Sequence, residues 1–448
     1  MEQTKTYKLP LVPIVTMFFL FAMISFVTNL AAPIGTIWKN EYAGANTLGM
    51  MGNMMNFLAY LFMGIPAGRM LVKIGYKKTA LIAMAVGIAG LFIQYLSSVA
   101  GAGVALWSWG DTTLKLNFVI YLLGAFVCGF CVCMLNTVVN PMLNLLGGGG
   151  NKGNQLLQTG AALNSLSGTL TPLFVGALIG TVTARTAMSD VTPLLFIAMG
   201  VFVVAFCVIF SVHIPEPHLQ KGEVVKEKAA YSPWNFRHTV LGVVGIFVYV
   251  GIEIGIPGTL NFYLADASER GAGLLVNGAA IGGAIAAVYW LLMLVGRSLS
   301  SLISGKVSSR VQLLVVSAVA ILLVVSAIFI PKEVTVAMPG YSVGHGFQLE
   351  QVPVSALLLV LCGLCTSVMW GGIFNLAVEG LGKYTAQASG IFMMMVVGGG
   401  VLPLIQQFIA DKAGYMASYW VIVAGLAYLL YYALAGSKNV NKDIPVEE

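Results

Sequence analysis

Twelve segments of this 448-residue chain are apolar over a length that can cross a lipid bilayer as a helix. A helix needs about 20 apolar residues to span the hydrocarbon core. Only 9% of the residues are charged, whereas a soluble domain has about 25% and uses them to cover its water-facing surface. We therefore predict an all-α membrane protein with spans at 11–36, 47–73, 79–99, 116–147, 153–182, 192–213, 239–265, 272–304, 311–330, 352–382, 384–410 and 416–436.

Lys and Arg are distributed unevenly between the two sides of these predicted spans. One side receives 17 of the 23 residues and the other side receives six. Basic loop residues favour the cytoplasmic side of a membrane protein. We therefore expect both termini in the cytoplasm and a multi-pass protein of the cytoplasmic (inner) membrane. The net charge of +6 reflects this bias, so no nucleic-acid partner is expected.

Four local patterns occur twice, in the same order, at separations of 224–235 residues. The pairs are Asn29-x-x-x-Pro33 with Glu253-x-x-x-Pro257, Gly68-Arg69 with Gly296-Arg297, Asn140…Gly147 with Asn375…Gly382, and Gly168-x-x-x-Pro172 with Gly399-x-x-x-Pro403. Equivalent spans are six apart, an even number, so the two copies have the same orientation. This predicts two pseudo-symmetric six-helix bundles at 1–213 and 239–448, joined by a polar cytoplasmic linker at 214–238. A site between such repeats lies near the membrane midplane.

Glu253 lies near the middle of the apolar run LGVVGIFVYVGIEIGIPGTLNFYL at 241–264. A carboxylate at that depth costs roughly 2.5–3.5 kcal/mol on insertion scales, and such a residue normally faces a polar cavity on a solute or ion pathway. The position of Glu253 therefore favours a transporter. Its carboxylate could bind and release a proton, help to bind Na⁺, or serve as a fixed hydrogen-bond acceptor.

The repeat and the basic loops after spans 2 and 8 resemble the major facilitator superfamily. The segment that is similar to its cytoplasmic loop signature, without the usual acidic residue, is Pro66-Ala-Gly-Arg69-Met-Leu-Val-Lys-Ile-Gly75-Tyr-Lys77-Lys78. Further motifs resemble the fucose–proton symporter family, which includes glucose/galactose transporters. They are Phe18-Phe19-Leu20-Phe21-Ala22 with Asn29 and Pro33, Leu135-Asn136-Thr137-x-x-Asn140-Pro141, Tyr249-Val250-Gly251-Ile252-Glu253, Ile373-Phe374-x-Leu376-Ala377, and Gly398-Gly399-Gly400.

This resemblance implies twelve helices and alternating access, and the loop motifs place Arg69 and Arg297 in a cytoplasmic gate. We expect Arg297 at the cytoplasmic end of span 8, apart from Glu253. The family's proton-coupling carboxylates are an Asp at the position of Asn29 and a Glu at the position of Asn136. An amide cannot titrate, so coupling through those two positions is not available here.

A sugar site needs amides and a carboxylate for the hydroxyl groups and an aromatic surface for the ring face. The candidate substrate-binding residues are Asn29, Asn136, Asn140, Asn164, Glu253, Asn261, Trp370 and Asn375. Asn140 precedes Pro141 and is equally suited to satisfy a backbone carbonyl that the proline leaves free. Next to Trp370, Gly371-Gly372 replaces the Pro-Thr usual in the family, and we expect this change to reshape the pocket.

We therefore predict a monomeric secondary transporter for a monosaccharide, a hexose such as fucose, glucose or galactose. Coupling to H⁺ or Na⁺ through Glu253 and facilitative transport without coupling both remain open. Export of amphipathic small molecules on the same fold is an alternative, although the many amides in the spans argue against it. A sugar sensor is disfavoured because the short predicted termini leave no room for a signalling domain. The residues form no nucleophile–base or metal constellation, so no enzyme, cofactor or metal is expected.

Overall fold

The chain folds into two groups of long helices. The computed structural model describes residues 11–42, 45–109, 112–146, 150–179, 182, 185–214, 216, 231–274, 278–303, 307–342, 346–381, 384–441 and 443–446. The first helix group consists of α1 (Leu11–Glu41), α2 (Asn46–Val99), α3 (Leu116–Leu146), α4 (Gly150–Ile179) and α5 (Thr192–Ser211). The second consists of α6 (Arg237–Ala265), α7 (Gly278–Ile303), α8 (Ser309–Phe329), α9 (Val354–Val378), α10 (Thr385–Met395), α11 (Gly398–Ala413), α12 (Tyr415–Ser418) and α13 (Trp420–Tyr431).

Eleven segments in the described part of the chain are long and apolar enough to cross a membrane. Two of them lie in α2, while α10 and α11 together contribute one, as do α12 and α13. The predicted span at 153–182 corresponds to α4, which has 30 residues but is rich in Asn, Gln, Ser and Thr and is not one of the eleven. Most of the predicted linker, at 215 and 217–230, lies outside the described residues.

A kink at Gly75 divides α2 into the predicted second and third spans. The φ angle of Gly75 is 86°, in a region that glycine adopts without the steric cost of a Cβ atom. The Glu216 carboxylate accepts hydrogen bonds from the backbone N–H groups of Tyr76 (2.9 Å) and Lys77 (2.8 Å), which follow the kink. Glu216 therefore supplies a negative charge beside the loop motif that lacks its own acidic residue.

Two β-hairpins supplement the helices, and the sequence patterns did not predict them. Strands β1 (Ala105–Trp109) and β2 (Thr112–Lys115) connect α2 to α3, and β3 (Thr335–Ser342) and β4 (Gly346–Pro353) connect α8 to α9. Both pairs are antiparallel. They follow the third and the ninth predicted spans, so they occupy equivalent positions in the two predicted repeats.

The two helix groups meet along α4 and α7, along α2 with α10 and α11, and where the end of α1 reaches α6. One direct link is a hydrogen bond of 2.8 Å from the Asn53 amide of α2 to the Gly399 carbonyl of α11. Gly400 lets α11 approach α2, because a Cβ atom at this position would lie 3.0 Å from the Met54 carbonyl oxygen. The boundary between the groups is thus closely packed, and it contains the polar residues described next.

Candidate functional site

Glu253 is placed in the middle of α6 and is paired with an arginine. Its side chain is 14% exposed, and its Oε1 atom lies 3.3 Å from Nη2 of Arg297 on α7. The expectation that Arg297 lies apart from Glu253 is therefore wrong. Helix α7 continues to Ile303, so Arg297 lies almost two turns inside the helix and its long side chain reaches the carboxylate.

The other amino group of Arg297 contacts the first helix group. Its Nη1 atom donates to the Ala161 carbonyl (2.9 Å) and to the Ser165 hydroxyl (2.7 Å), both on α4. A planar guanidinium can hold partners on two sides in fixed directions. Arg297 consequently links α4, α6 and α7, and it joins the two helix groups beside Glu253.

A tyrosine lies next to this ion pair, and a tryptophan packs against that tyrosine. Tyr249, one turn before Glu253, is fully buried, and its ring centroid is 6.1 Å from that of Trp370 on α9 at an interplanar angle of 58°. Trp370 is half-buried. The arrangement combines a flat apolar surface with a charged pair, which is typical of small-molecule sites with a few placed polar groups.

Four of the predicted amides are half-buried in the first helix group and use their nitrogen atoms in the same way. Each Nδ2 atom donates within the protein: Asn29 to the Ser25 carbonyl, Asn136 to the Tyr60 hydroxyl, Asn140 to the Asn136 carbonyl and Asn164 to the Phe21 carbonyl, at 2.8–3.0 Å. Among the described residues, no protein donor is bonded to their Oδ1 atoms. These oxygens can accept hydrogen bonds from a ligand.

Two of these amides lie at the boundary between the helix groups. Asn164 precedes Ser165, the partner of Arg297. A Cβ atom at Gly168 would lie 3.3 Å from both Asn29 Nδ2 and the Trp290 ring of α7, which places Asn29 at the boundary between the groups. Asn140 donates to the Asn136 carbonyl, one turn earlier. This bond agrees with the alternative interpretation that Asn140 satisfies a backbone carbonyl near Pro141.

Three predicted residues lie elsewhere. Asn261 is buried and its amide nitrogen is 3.5 Å from the Thr36 hydroxyl, near the end of α1. Asn375 is exposed and lines a surface depression with Ser308 and Arg310. Arg69 is exposed near the kink of α2. The structure therefore does not bring these three residues together with Glu253.

A second polar cluster closes the boundary where α1 ends, and sequence patterns did not reveal it. We call this set the Lys39 cluster; it consists of Lys39, Asn46, Thr47, Asp266, Asp411 and Tyr415. Lys39 is only 4% exposed, and its ammonium group donates to the Tyr415 hydroxyl at 2.7 Å and to the Phe262 carbonyl at 3.3 Å. The Tyr415 hydroxyl lies 3.0 Å from Asn46 Oδ1 and from Asp266 Oδ2.

Asp411 forms the other half of the Lys39 cluster. Its two carboxylate oxygens accept hydrogen bonds of 2.9 Å from the backbone N–H groups of Asn46 and Thr47, at the beginning of α2. A carboxylate is favourable there because the first N–H groups of a helix lack partners within the helix. Asp411 belongs to the second helix group and α2 to the first, so this helix cap joins the two groups.

Asp266 is held as a carboxylate in this cluster. Burial alone would raise its pKa, but hydrogen bonds from Ser268 and Tyr415 and the charge of Lys39 outweigh this effect and hold the pKa below its usual range. The cluster therefore contains opposite charges from both helix groups. The signals in the sequence were three charged residues, Lys39, Asp266 and Asp411, each just beyond the end of a different predicted span.

Comparisons with known proteins agree with this architecture. The family model described as Major Facilitator Superfamily matches residues 14–402. A glucose/galactose transporter of Brucella abortus is 29% identical over 442 residues, which cover 97% of this chain and 96% of the relative. An L-fucose-proton symporter of Escherichia coli is 23% identical, with 92% and 89% covered.

The fold is also similar to that of a solved transporter. The xylose transporter XylE from E. coli, in an inward open conformation, has a TM-score of 0.69 at 10% identity, with 96% of both chains covered. Together with the family match, this similarity confirms the predicted fold class and the prediction of a multi-pass membrane transporter rather than an enzyme. The predicted resemblance to the fucose–proton symporter family is confirmed as well.

Proposed function

The chain belongs to the Major Facilitator Superfamily, and from this premise we propose that it is a secondary transporter that moves a monosaccharide by alternating access. The observation that carries the proposal is the Glu253–Arg297 ion pair at the boundary between the helix groups, with the Tyr249 and Trp370 rings of the second group on its inner side. The names of the relatives, a glucose/galactose transporter and an L-fucose-proton symporter, support a hexose as the substrate.

The chemistry of the site fits a sugar. A hexose presents hydroxyl donors around its edge, and the Oδ1 atoms of Asn29 and Asn164 are available acceptors near the boundary. Trp370 offers a flat apolar surface to the face of the ring, and the Glu253–Arg297 pair adds both an acceptor and donors. A few directed polar groups beside an aromatic surface fix the orientation of a small polar ligand.

Alternating access requires that one end of the boundary is closed while the other is open. The Lys39 cluster supplies the closed end. We take the bundles at 1–213 and 239–448 as the moving halves. We also propose that the protein lies in the inner membrane with both termini in the cytoplasm. In that orientation the Lys39 cluster closes the outer side of the boundary.

Facilitative transport is the second candidate, and the ion pair is the observation that favours it. A permanent bond between Glu253 and Arg297 would give the site a neutral polar surface without any titration. A uniporter of this kind would exchange sugar across the membrane but would not accumulate it against a gradient.

Counterflow into proteoliposomes tests the proposed function. Vesicles preloaded with unlabelled glucose, galactose or fucose are expected to take up the matching labelled sugar. The Trp370→Ala variant is expected to raise the half-saturating sugar concentration about tenfold or more, because truncating an aromatic hot spot typically costs about 2 kcal/mol or more and about 1.4 kcal/mol corresponds to a factor of ten.

The control for this variant is Trp234→Ala. Trp234 is 54% exposed and lies outside the helices that form the site, so its replacement should leave the half-saturating sugar concentration unchanged. Wild-type protein that exchanges none of these hexoses, but moves an amphipathic compound, would contradict sugar transport and favour an exporter.

A further inference from the structure

Arg297 holds two different partners at the same time, one in each helix group. Nη2 lies 3.3 Å from the carboxylate of Glu253 on α6, and Nη1 donates to Ala161 and Ser165 on α4. Both sides of one rigid, planar group are therefore in use. A change at Glu253 must alter the forces on the same group that contacts α4.

The surroundings of Glu253 restrict what can bind there. The titratable groups that interact with it are Tyr249 on its own helix and Arg297 and Tyr289 on α7. The neighbouring helices contribute the uncharged Ser165 from α4 and Trp370 from α9, beside Tyr249. Arg297 is thus the cation that faces the carboxylate in this set.

A proton suits this site better than a metal cation. A Na⁺ ion at the carboxylate would lie close to the fixed positive charge of Arg297, and the repulsion between two such charges is strong in a poorly solvated site. A proton adds to one carboxylate oxygen, gives a neutral carboxyl group and needs no further ligands. It later leaves the same oxygen for the solution on the other side.

We propose that Arg297 is a positioning residue that transmits the charge of Glu253 to α4, so that protonation of Glu253 controls the contact between the two helix groups. When Glu253 is ionised, the ion pair holds Arg297 in a fixed position against Ala161 and Ser165. When Glu253 is neutral, the arginine loses its counter-charge and moves towards water, and its hydrogen bonds to α4 are broken. The inference rests on the proposed sugar transport.

The test compares proton movement with sugar exchange in the same proteoliposomes. In weakly buffered medium, adding hexose outside wild-type vesicles is expected to make the medium more alkaline as protons enter with the sugar. Arg297→Lys keeps the positive charge but loses the planar fork. We expect it to retain measurable counterflow while the number of protons moved per sugar falls at least tenfold.

Two further variants separate this role from a purely structural one. Ser165→Ala removes one acceptor on α4 without altering any charge, and we expect the proton-to-sugar ratio to fall about twofold to fivefold. It also replaces Arg297→Lys as the test if the lysine variant does not fold. Arg310→Lys is the control, because Arg310 donates to the Ala433 and Leu434 carbonyls within the second helix group and should keep the wild-type ratio.

The outcomes are distinguishable. An unchanged proton-to-sugar ratio in Arg297→Lys and Ser165→Ala overturns the inference. Sugar uptake by the wild-type protein that stops when choline replaces Na⁺, and that is accompanied by no proton movement, overturns it as well. Counterflow without any proton movement overturns the inference but leaves sugar transport standing. The absence of hexose counterflow in wild-type vesicles overturns the proposed function itself, and the inference with it.

Discussion

Replacing Arg297 with glutamine is expected to lower the free energy of unfolding by about 3–5 kcal/mol, because it leaves Glu253 as a buried charge without its partner. The side chains of both residues are only 14% exposed. Removing both charges in Glu253→Gln/Arg297→Gln should recover most of the loss, since two neutral amides can bond to each other. Chemical denaturation of the purified protein in detergent, followed by tryptophan fluorescence, measures these changes.

An exposed pair provides the matched control. Lys115 and Glu41 form an ion pair of 3.0 Å, with side chains that are 39% and 25% exposed. Exposed pairs typically contribute about 0–1 kcal/mol to stability, so Lys115→Gln should lower the free energy of unfolding only slightly. If the double variant Glu253→Gln/Arg297→Gln is no more stable than Arg297→Gln alone, the two charges do not stabilise each other as a pair.

Asp411→Asn is expected to weaken the closed end of the boundary. The carboxylate of Asp411 accepts two backbone N–H groups at the beginning of α2, and an amide would place its own NH₂ group against one of them. A hydrogen bond to a charged group contributes about 1.5–3 kcal/mol. Because about 1.4 kcal/mol corresponds to a factor of ten, the population in which the Lys39 cluster is open should rise at least tenfold.

Distances between spin labels measure this change. Val104 and Val334 are exposed next to the two hairpins, one in each helix group. The hairpins reach the Lys39 end of the boundary, where Lys115 pairs with Glu41 and Lys332 bonds to the Glu269 carbonyl. Pulsed electron paramagnetic resonance between labels at Val104 and Val334 should show a longer distance in Asp411→Asn.

The control for this experiment is Asp190→Asn. Asp190 also accepts a backbone N–H, from Ala187, but within the first helix group, so it should not change the label distance. Cys207 is an exposed free cysteine and must be replaced before labelling. An unchanged distance distribution in Asp411→Asn would mean that this carboxylate does not hold the end closed.

The helices were predictable because their apolar lengths are a direct consequence of the bilayer. Every predicted span has a counterpart in the structure, including α4, whose polar residues keep it below the apolarity of the others. The hairpins were not predictable from the same pattern, because short strands between spans carry no constraint from lipid. Gly75 marked the kink in α2, but its partner Glu216 is 140 residues away from Tyr76.

The candidate site was predictable only in part. The depth of Glu253 in its span singled it out as a candidate, since a buried charge is expensive in an apolar helix, and the structure places it in a buried ion pair. Its partner was missed because a short motif placed Arg297 at a helix end, whereas the helix continues beyond it. The pairing of Asp411 with the start of α2 joins residues more than 360 positions apart, and a single sequence contains no signal for such a contact.

The most direct test of the account is the accumulation of labelled hexose in proteoliposomes under an inward proton gradient, with wild-type protein and Glu253→Gln side by side. We predict that wild-type vesicles concentrate the sugar above its external level. The variant, which cannot titrate, should not concentrate it. Equal accumulation by the two proteins would contradict the central role of Glu253 in coupling.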